Sequence, residues 1–177
     1  MQVAKAEQPL TELLRHEDER VRRSAANALM RLGTTRAMQA IEEALKSPDP
    51  EIRVEAAGAV MVRKDARATA ALLHALDVEK DPTVQVAFMN ALGKLATRDA
   101  VQRLVKAAEA DRSIFKKRTT ESRVAATHAL ADSGTPEAVE ALRALQGDKD
   151  SDVRAAATLS LGRLARRATT NVRQVEQ

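Results

Sequence analysis

A twelve-residue segment that occurs in five copies along the chain is the feature that most constrains its fold. The best-formed copy reads DPEIRVEAAGAV, at residues 49–60. An alignment on its arginine places Arg22, Arg53, Gln85, Arg123 and Arg154 in one column, with spacings of 31, 32, 38 and 31 residues. A period in this range indicates a solenoid in which each repeat is one pair of helices and contacts only its neighbours.

Each repeat is predicted to contain two helices because apolar residues return at helical spacing. In the first copy, the expected buried face consists of Val21, Ala25, Ala28, Leu29 and Leu32. A further helix precedes each copy, and four of these helices share a column of large apolar residues: Ile41, Leu72, Leu104 and Leu142. Short turns such as Gly33-Thr34 and Gly134-Thr135 separate the two helices.

Two polar positions of the repeat are interpreted as structural. An aspartate opens four copies, where its carboxylate can accept hydrogen bonds from the free N–H groups of the first helical turn. The arginine that follows four residues later is expected to bond to loops of the adjacent repeat. The structural motif therefore comprises Asp18, Arg22, Asp49, Arg53, Asp81, Arg123, Asp150 and Arg154.

The pattern Asp-x-x-[Val/Ile]-Arg-x-x-Ala-Ala-x-Ala-Leu resembles the HEAT-like repeats of the phycobilin-lyase type, over roughly residues 9–165. This resemblance implies an all-α fold, an α–α superhelix or right-handed solenoid of about five HEAT-like helix pairs. It also implies that the first helix of each pair lines the convex side and the second helix the concave side. Thr119, Ser122 and Gln85 depart from the pattern, so local packing is expected to differ there.

We predict a single repeat domain over residues 1–167 and a disordered tail over 168–177. The repeats are expected at approximately 8–34, 35–65, 66–97, 98–134 and 135–167. The spacing of 38 residues places an insertion at 111–121, and insertions in solenoids form loops that often carry function. The residues of this insertion that could dock an acidic partner are Phe115, Lys116, Lys117 and Arg118.

The sequence contains no recognisable catalytic constellation. It has no cysteine and no Gly-rich phosphate loop. The single pair His16-Glu17 cannot supply the ligands of the di-iron deoxyhypusine hydroxylases, which are also helical-repeat proteins. We therefore predict that the chain is not an enzyme and has no catalytic residue, metal or cofactor. A bilin-lyase-like subunit stays open as an alternative, although aromatic residues that could wall a tetrapyrrole pocket make up only 1% of the chain.

The chain is predicted to be cytoplasmic and of bacterial type. Its first ten residues contain no apolar run of the signal-peptide kind, and no apolar stretch of 18 residues occurs in the sequence. Its high alanine and arginine content is the basis for the bacterial assignment. No membrane contact is expected.

A protein–protein interaction or scaffold module is the predicted function, with a concave solenoid surface presented to a protein or peptide partner. Its exposed columns should be the residue after each repeat arginine and the residue four positions later. These columns place a modest apolar strip at Val54, Val86 and Val124 with Asn90 and His128 as polar neighbours, and this binding strip of five residues suits a helix or an extended peptide. The alternative is nucleic-acid binding through basic patches, since the net charge is +4 and phosphate contacts need several cations.

Overall fold

The computed structural model describes residues 2–110 and 119–175, and the side chains within 6–110 and 119–168. In that part of the chain the regular secondary structure is entirely helical, which confirms the predicted all-α repeat fold. The helices are α1 (Gln2–Leu13), α2 (Glu19–Leu32), α3 (Thr35–Ala44), α4 (Pro50–Arg63), α5 (Thr69–Val78), α6 (Pro82–Leu95), α7 (Arg98–Ala108), α8 (Thr120–Ser133), α9 (Pro136–Leu145) and α10 (Ser151–Val175), with a 3-10 turn at Ala66–Ala68 before α5. The odd-numbered helices are the first members of five pairs and the even-numbered helices the second members.

The second helices begin at side-chain caps. Asp18 accepts a hydrogen bond from the backbone N–H of Arg20 at 2.8 Å, and Asp49 accepts one from Glu51 at 2.9 Å. Thr119, which replaces the aspartate in the fourth copy, accepts from Ser122 at 3.2 Å and caps its helix with a hydroxyl group instead. A cap of this kind contributes about 1 kcal/mol by satisfying an N–H group that has no partner within the helix.

The core consists of leucine, isoleucine, methionine and alanine side chains between the helices. The column expected on the first helices is fully buried, with Ile41, Leu72, Leu104 and Leu142 each 0% exposed. On α2 the buried face lies slightly off the expected one. Its buried residues are Arg22, Ala25, Ala26, Leu29 and Met30, whereas Val21, Ala28 and Leu32 are half-buried at its margin. The buried face therefore includes the long side chain of Arg22, which is 4% exposed.

The repeat arginines of the first two copies join the turn before their own helix to a carboxylate of the next helix pair. Arg53 donates from Nη1 to the carbonyl oxygens of Ser47 and Pro48, at 2.7 and 3.1 Å. Its Nε and Nη2 donate to the two carboxylate oxygens of Glu79 in the next helix pair, at 2.7 and 3.0 Å. Arg22 repeats this arrangement with the carbonyl oxygens at positions 16 and 17 and with Glu51. The bonds to the adjacent repeat are therefore ion pairs, which Arg53 makes to a loop residue after α5 and Arg22 makes to the first turn of α4, while the carbonyl contacts lie within the same repeat.

Variations along the arginine column follow the local sequence. Gln85 keeps one bond to the turn, from Nε2 to the carbonyl oxygen of Glu79 at 2.7 Å. Arg123 donates from Nε to the carbonyl oxygen of Ala108 at 2.9 Å and pairs with Asp148. Arg154, at the last copy, is exposed, and its bonds among the described residues go to the carbonyl oxygens of Asp148 and Lys149.

The chain divides into two compact units, unit 1 at Met1–Ala91 and unit 2 at Leu92–Gln177. In unit 1, α1 packs against α2 and α3, and α2 packs against α4, so first helices adjoin first helices and second helices adjoin second helices. Unit 2 shows the same order, with α7 against α8 and α9, and α8 against α10. This is the layering that a helix-pair repeat requires.

The last helix differs from the other second helices in length. α10 continues to Val175, into the segment 168–177 for which the sequence predicts a disordered tail. Each of the four earlier second helices is followed by a residue at positive φ: Gly33, Lys64, Ala96 and Gly134. The equivalent position in the fifth repeat is Ala165, and α10 continues through it. None of the described helices is both long enough and apolar enough to cross a lipid bilayer.

Two helical glycines have opposite surroundings, which generates a stability prediction. A Cβ atom at Gly93 would lie 2.4 Å from the backbone oxygen of Ala129, whereas a Cβ atom at Gly58 would meet nothing within 4 Å. We expect Gly93→Ala to lower the free energy of unfolding by about 1–3 kcal/mol through overpacking. Gly58→Ala should raise it by about 0.5–1 kcal/mol, because alanine favours the helix. Urea unfolding checks both; a stabilised Gly93→Ala protein would contradict the close α6–α8 approach.

The buried arginine of the fourth copy generates a second prediction. Arg123→Ala leaves the Asp148 carboxylate, whose side chain is 10% exposed, without its cation. The free energy of unfolding should fall by about 3 kcal/mol. Arg154→Ala is the matched control, since it removes only two bonds at an exposed position and should cost about 1 kcal/mol. Equal losses of unfolding free energy in the two variants, measured by urea unfolding, would show that the ion pair with Asp148 adds no stability.

The same pair predicts a pH dependence. Burial would raise the pKa of Asp148, but hydrogen bonds from Arg123 and from the backbone of Asp150 together hold that pKa below its ordinary value. The stabilisation is therefore present above the pKa of the unfolded state, which is about 4, and it is lost as the pH falls through the pKa of Asp148 in the folded state. The difference in the free energy of unfolding between wild type and Arg123→Ala should therefore become smaller as the pH is lowered from neutral through this range. Urea unfolding at a series of pH values measures this difference.

Candidate functional site

The five residues of the predicted binding strip are divided between the two units. Val54, Val86 and Asn90 belong to unit 1, and Val124 and His128 belong to unit 2. Val86 is 37% exposed, whereas the other four are half-buried. The remaining predicted partner residues lie outside the described part of the chain: Phe115, Lys116, Lys117 and Arg118.

Val54 lies in a groove of about 360 Å³ in unit 1, at the N-terminal ends of the second helices. Its apolar part is formed by Pro50 and Val54 of α4 and by Val84 of α6. The polar part comprises Thr83 and four carboxylates. We call this site the acidic groove, and its carboxylates are Glu19, Glu51, Glu55 and Asp81.

Two arginines of α2 balance part of the negative charge. Arg23 donates from Nε and Nη2 to Glu55, at 3.0 and 3.2 Å, and also pairs with Glu19. The hydrogen bond with Glu55, followed by the charges of Glu55 and Glu19, raises the pKa of the Arg23 guanidinium. Arg22 pairs with Glu51. Four carboxylates therefore share two guanidinium groups, which leaves a negative surplus in the groove.

Glu55 is the most buried of the three groove glutamates that the sequence analysis did not select. Its side chain is only 10% exposed, although it carries a charge. The equivalent positions of the other four copies hold small residues: Ser24, Ala87, Ala125 and Ala156. A single glutamate in a column of small residues is the signal that could have identified it, because buried carboxylates require a partner.

His128 of unit 2 is engaged by interior polar groups. Its Nδ1 lies 3.3 Å from the hydroxyl oxygen of Ser160 and 3.2 Å from Nη2 of Arg163. Since a guanidinium group can only donate, Nδ1 accepts and the imidazole is neutral. Burial, and then the charge of Arg163, lower the pKa of His128 despite the opposing effect of Asp132. Ser160 is 0% exposed, so a substrate cannot reach its hydroxyl group.

Asp132 extends this polar cluster along α8. It pairs with Lys94 at 3.1 Å and lies 3.7 Å from Nη2 of Arg167. Across the described residues, no three histidine, cysteine, aspartate or glutamate side chains converge as metal ligands. The arrangement can hold its helices in place, but it offers neither an accessible nucleophile nor a metal centre.

The comparisons with known proteins agree with the repeat architecture. A family model described as HEAT repeats matches residues 1–61, 38–122 and 112–174. The comparison with curated proteins returned no match.

Similar solved structures include the complex of CpcE and CpcF of phycocyanin lyase from Nostoc sp. PCC7120. That match has a TM-score of 0.61 and 22% identity, and it covers 90% of this chain. This chain spans 65% of the length of the matched lyase chain. An engineered protein matches with a TM-score of 0.45 and 25% identity, over 88% of this chain and 78% of that one. Human deoxyhypusine hydroxylase in complex with glycerol matches with a TM-score of 0.37 and 14% identity, over 89% and 83% of the two chains.

The lyase match corrects one expectation of the sequence analysis. The prediction that the chain is not an enzyme is contradicted, because a chain of a lyase complex has a similar fold.

The repeats matched by the family model extend over residues 1–174 of 177, and the described helices form the pairs that such repeats require. The resemblance to the phycobilin-lyase type agrees with the lyase structure found among the similar folds. The chain belongs to the HEAT-repeat family.

Proposed function

We propose that this HEAT-repeat chain is a protein-interaction module and that its acidic groove receives a basic segment of a protein partner. The solenoid fold supports a protein-interaction scaffold in general terms. The observation that carries the specific proposal is a groove that combines an apolar floor with four carboxylates. An electrostatically complementary partner is attracted to such a surface and held in register there.

The groove suits the two parts of a lysine or arginine side chain. The aliphatic stem of such a side chain can lie on Pro50 and Val54, and its charged head can reach Glu19 or Glu55. Arg23 now occupies those two carboxylates, but its side chain is 57% exposed. Glu55 is only 10% exposed and needs a cation, and an incoming lysine or arginine head that takes over the Arg23 bonds would supply one.

The surplus negative charge of this groove repels phosphates, so it favours a protein partner over nucleic acid. Nucleic-acid binding requires several cations directed at phosphate groups. The acidic partner predicted for Phe115, Lys116, Lys117 and Arg118 concerns another part of the chain and stays a prediction.

A peptide titration tests the acidic groove. The probe is a fluorescently labelled peptide of alternating lysine and leucine, and the variant is Glu19→Gln with Glu55→Gln. We expect the variant to bind the peptide about tenfold more weakly, because glutamine removes the charge of each glutamate but keeps the shape of its side chain. The matched control is Glu137→Gln with Glu140→Gln, which removes two exposed glutamates of α9 in unit 2. Equal affinities of variant and wild type, or an equal loss in the control, would contradict the proposal.

A role in a lyase complex is the second candidate function, and the fold shared with a phycocyanin lyase chain favours it. Bilin attachment is the reaction that the phycobilin-lyase resemblance implies. The purified chain would be mixed with a linear tetrapyrrole, and we expect a shifted absorbance band that co-elutes with the protein in size-exclusion chromatography. An unshifted spectrum with free pigment in a later fraction would count against bilin binding by this chain alone.

A further inference from the structure

We propose that a second groove of unit 1, between the first helices α1 and α3, binds an acidic amphipathic helix of a protein partner. The groove has a volume of about 830 Å³. We call it the basic groove, and its cationic residues are Arg15, Arg36 and Lys46. Its main walls are the first helices α1 and α3, whereas the acidic groove lies at the N-terminal ends of the second helices. Ile52 of α4 lines the basic groove alone, and the two grooves share no lining residue.

The lining residues of α3 show that the basic groove follows this helix. Arg36, Ala40 and Ala44 line it at intervals of four residues, which places them in one row along α3. The opposite wall comes from α1 and from Arg15, which follows that helix. A row of this length along one helix is the geometry in which a second helix can lie in the groove.

The floor of the basic groove is apolar. Leu14, Ala44 and Ile52 line it and are 5%, 7% and 9% exposed. The small side chains of Ala40 and Ala44 keep the groove deep, because larger groups at these positions would fill it. A partner therefore needs an apolar stripe, which an amphipathic helix presents at every third or fourth residue.

The charge of the rim decides which kind of helix fits. Arg15 and Arg36 are both exposed, and their side chains make no hydrogen bond or ion pair within the part of the chain that the structure describes. Lys46 pairs with Glu43 at 3.4 Å, and Asp49 caps α4. Two guanidinium groups thus remain available, and carboxylates of a partner helix are the groups that they pair with in bidentate geometry.

A nucleic acid would fit this groove less well. Two available cations give only weak phosphate binding. The groove is lined by no aromatic side chain on which a base could stack. An apolar floor between the two arginines contributes to binding only when the partner has an apolar face of its own.

The test is a titration of the full chain, labelled with nitrogen-15, with a short helical peptide of leucine and glutamate whose leucines recur at three- and four-residue intervals. We expect amide shifts in NMR spectra at α1 and α3 around Arg15 and Arg36. The same peptide with lysine in place of glutamate should leave those amides unmoved. Shifts confined to other helices, or equal shifts with both peptides, would overturn the proposal.

Charge variants sharpen the test. Arg15→Glu with Arg36→Glu should weaken binding of the leucine–glutamate peptide by at least about tenfold, because two attractions become repulsions. Glu43→Lys should strengthen it, since it adds a cation at the rim. The matched control, Arg20→Glu with Arg31→Glu, makes the same charge change at exposed positions of α2 outside the groove and should leave the affinity near that of wild type. An equal loss of affinity in the control would show that only the net charge of the chain matters. If a short DNA duplex shifted the same amides and bound more tightly than the peptide, the groove would be assigned to nucleic acid. Either result overturns the proposal.

The two grooves are tested separately. The basic-groove variants leave Glu19 and Glu55 intact, so binding of the lysine–leucine peptide should be unchanged in them. Loss of binding of both peptides in the double variant of Arg15 and Arg36 would instead indicate a damaged fold. Circular dichroism then measures the helicity of the double variant. A third variant, Arg36→Gln, removes one charge without reversing it and is titrated with the leucine–glutamate peptide. If this variant is folded and binds the peptide with wild-type affinity, the proposal is overturned.

Discussion

Hydrogen bonds from the repeat arginine, or from Gln85 in its place, to carbonyl oxygens before its helix are the interaction that all five copies share, and in three copies the arginine also pairs with a carboxylate of the next helix pair. Arg53 is the clearest case, since one guanidinium group closes the turn before α4 and also holds both oxygens of Glu79. Burial raises the pKa of Glu79, but the backbone N–H of Asp81 and the Arg53 guanidinium, with other bonds, hold that pKa below its ordinary value. The pair stays charged at neutral pH, and so it fixes the spacing between successive helix pairs.

The same architecture explains why acidic groups gather at one edge of unit 1. Helix N-termini carry a partial positive charge, so aspartate caps and glutamates of the first turn are stabilised there. Glu19 and Glu51 lie in the first turns of α2 and α4, and Asp81 caps α6. Stacking of repeats in the same orientation brings these N-termini side by side. The charge of the acidic groove therefore arises from groups that each helix needs for its own stability, with Glu55 as an addition.

Much of the fold could be predicted from the sequence, and much less of the candidate sites. The aspartate caps and the buried column at Ile41, Leu72, Leu104 and Leu142 follow from local spacing, because capping and helical periodicity act over a few residues. The grooves depend on distances between helices that the repeat pattern does not contain. Val54 was selected for its exposed column, but the carboxylates around it come from three helices. The pair of Arg15 and Arg36 is not visible in the sequence because Arg15 follows α1, Arg36 lies in α3, and neither belongs to a repeat column.

The sequence by itself determined the helix pairs, their caps and the arginine column, since each of these rests on contacts between residues close in the chain or repeated at a constant period. Only the tertiary structure decided which side chains meet across helices. It directed His128 toward Ser160 and Arg163, and it left Arg15 and Arg36 exposed on the two walls of a groove with an apolar floor. The physical reason is that a repeat period sets how helices stack, whereas the charge and depth of a surface depend on individual side chains brought together by that stacking.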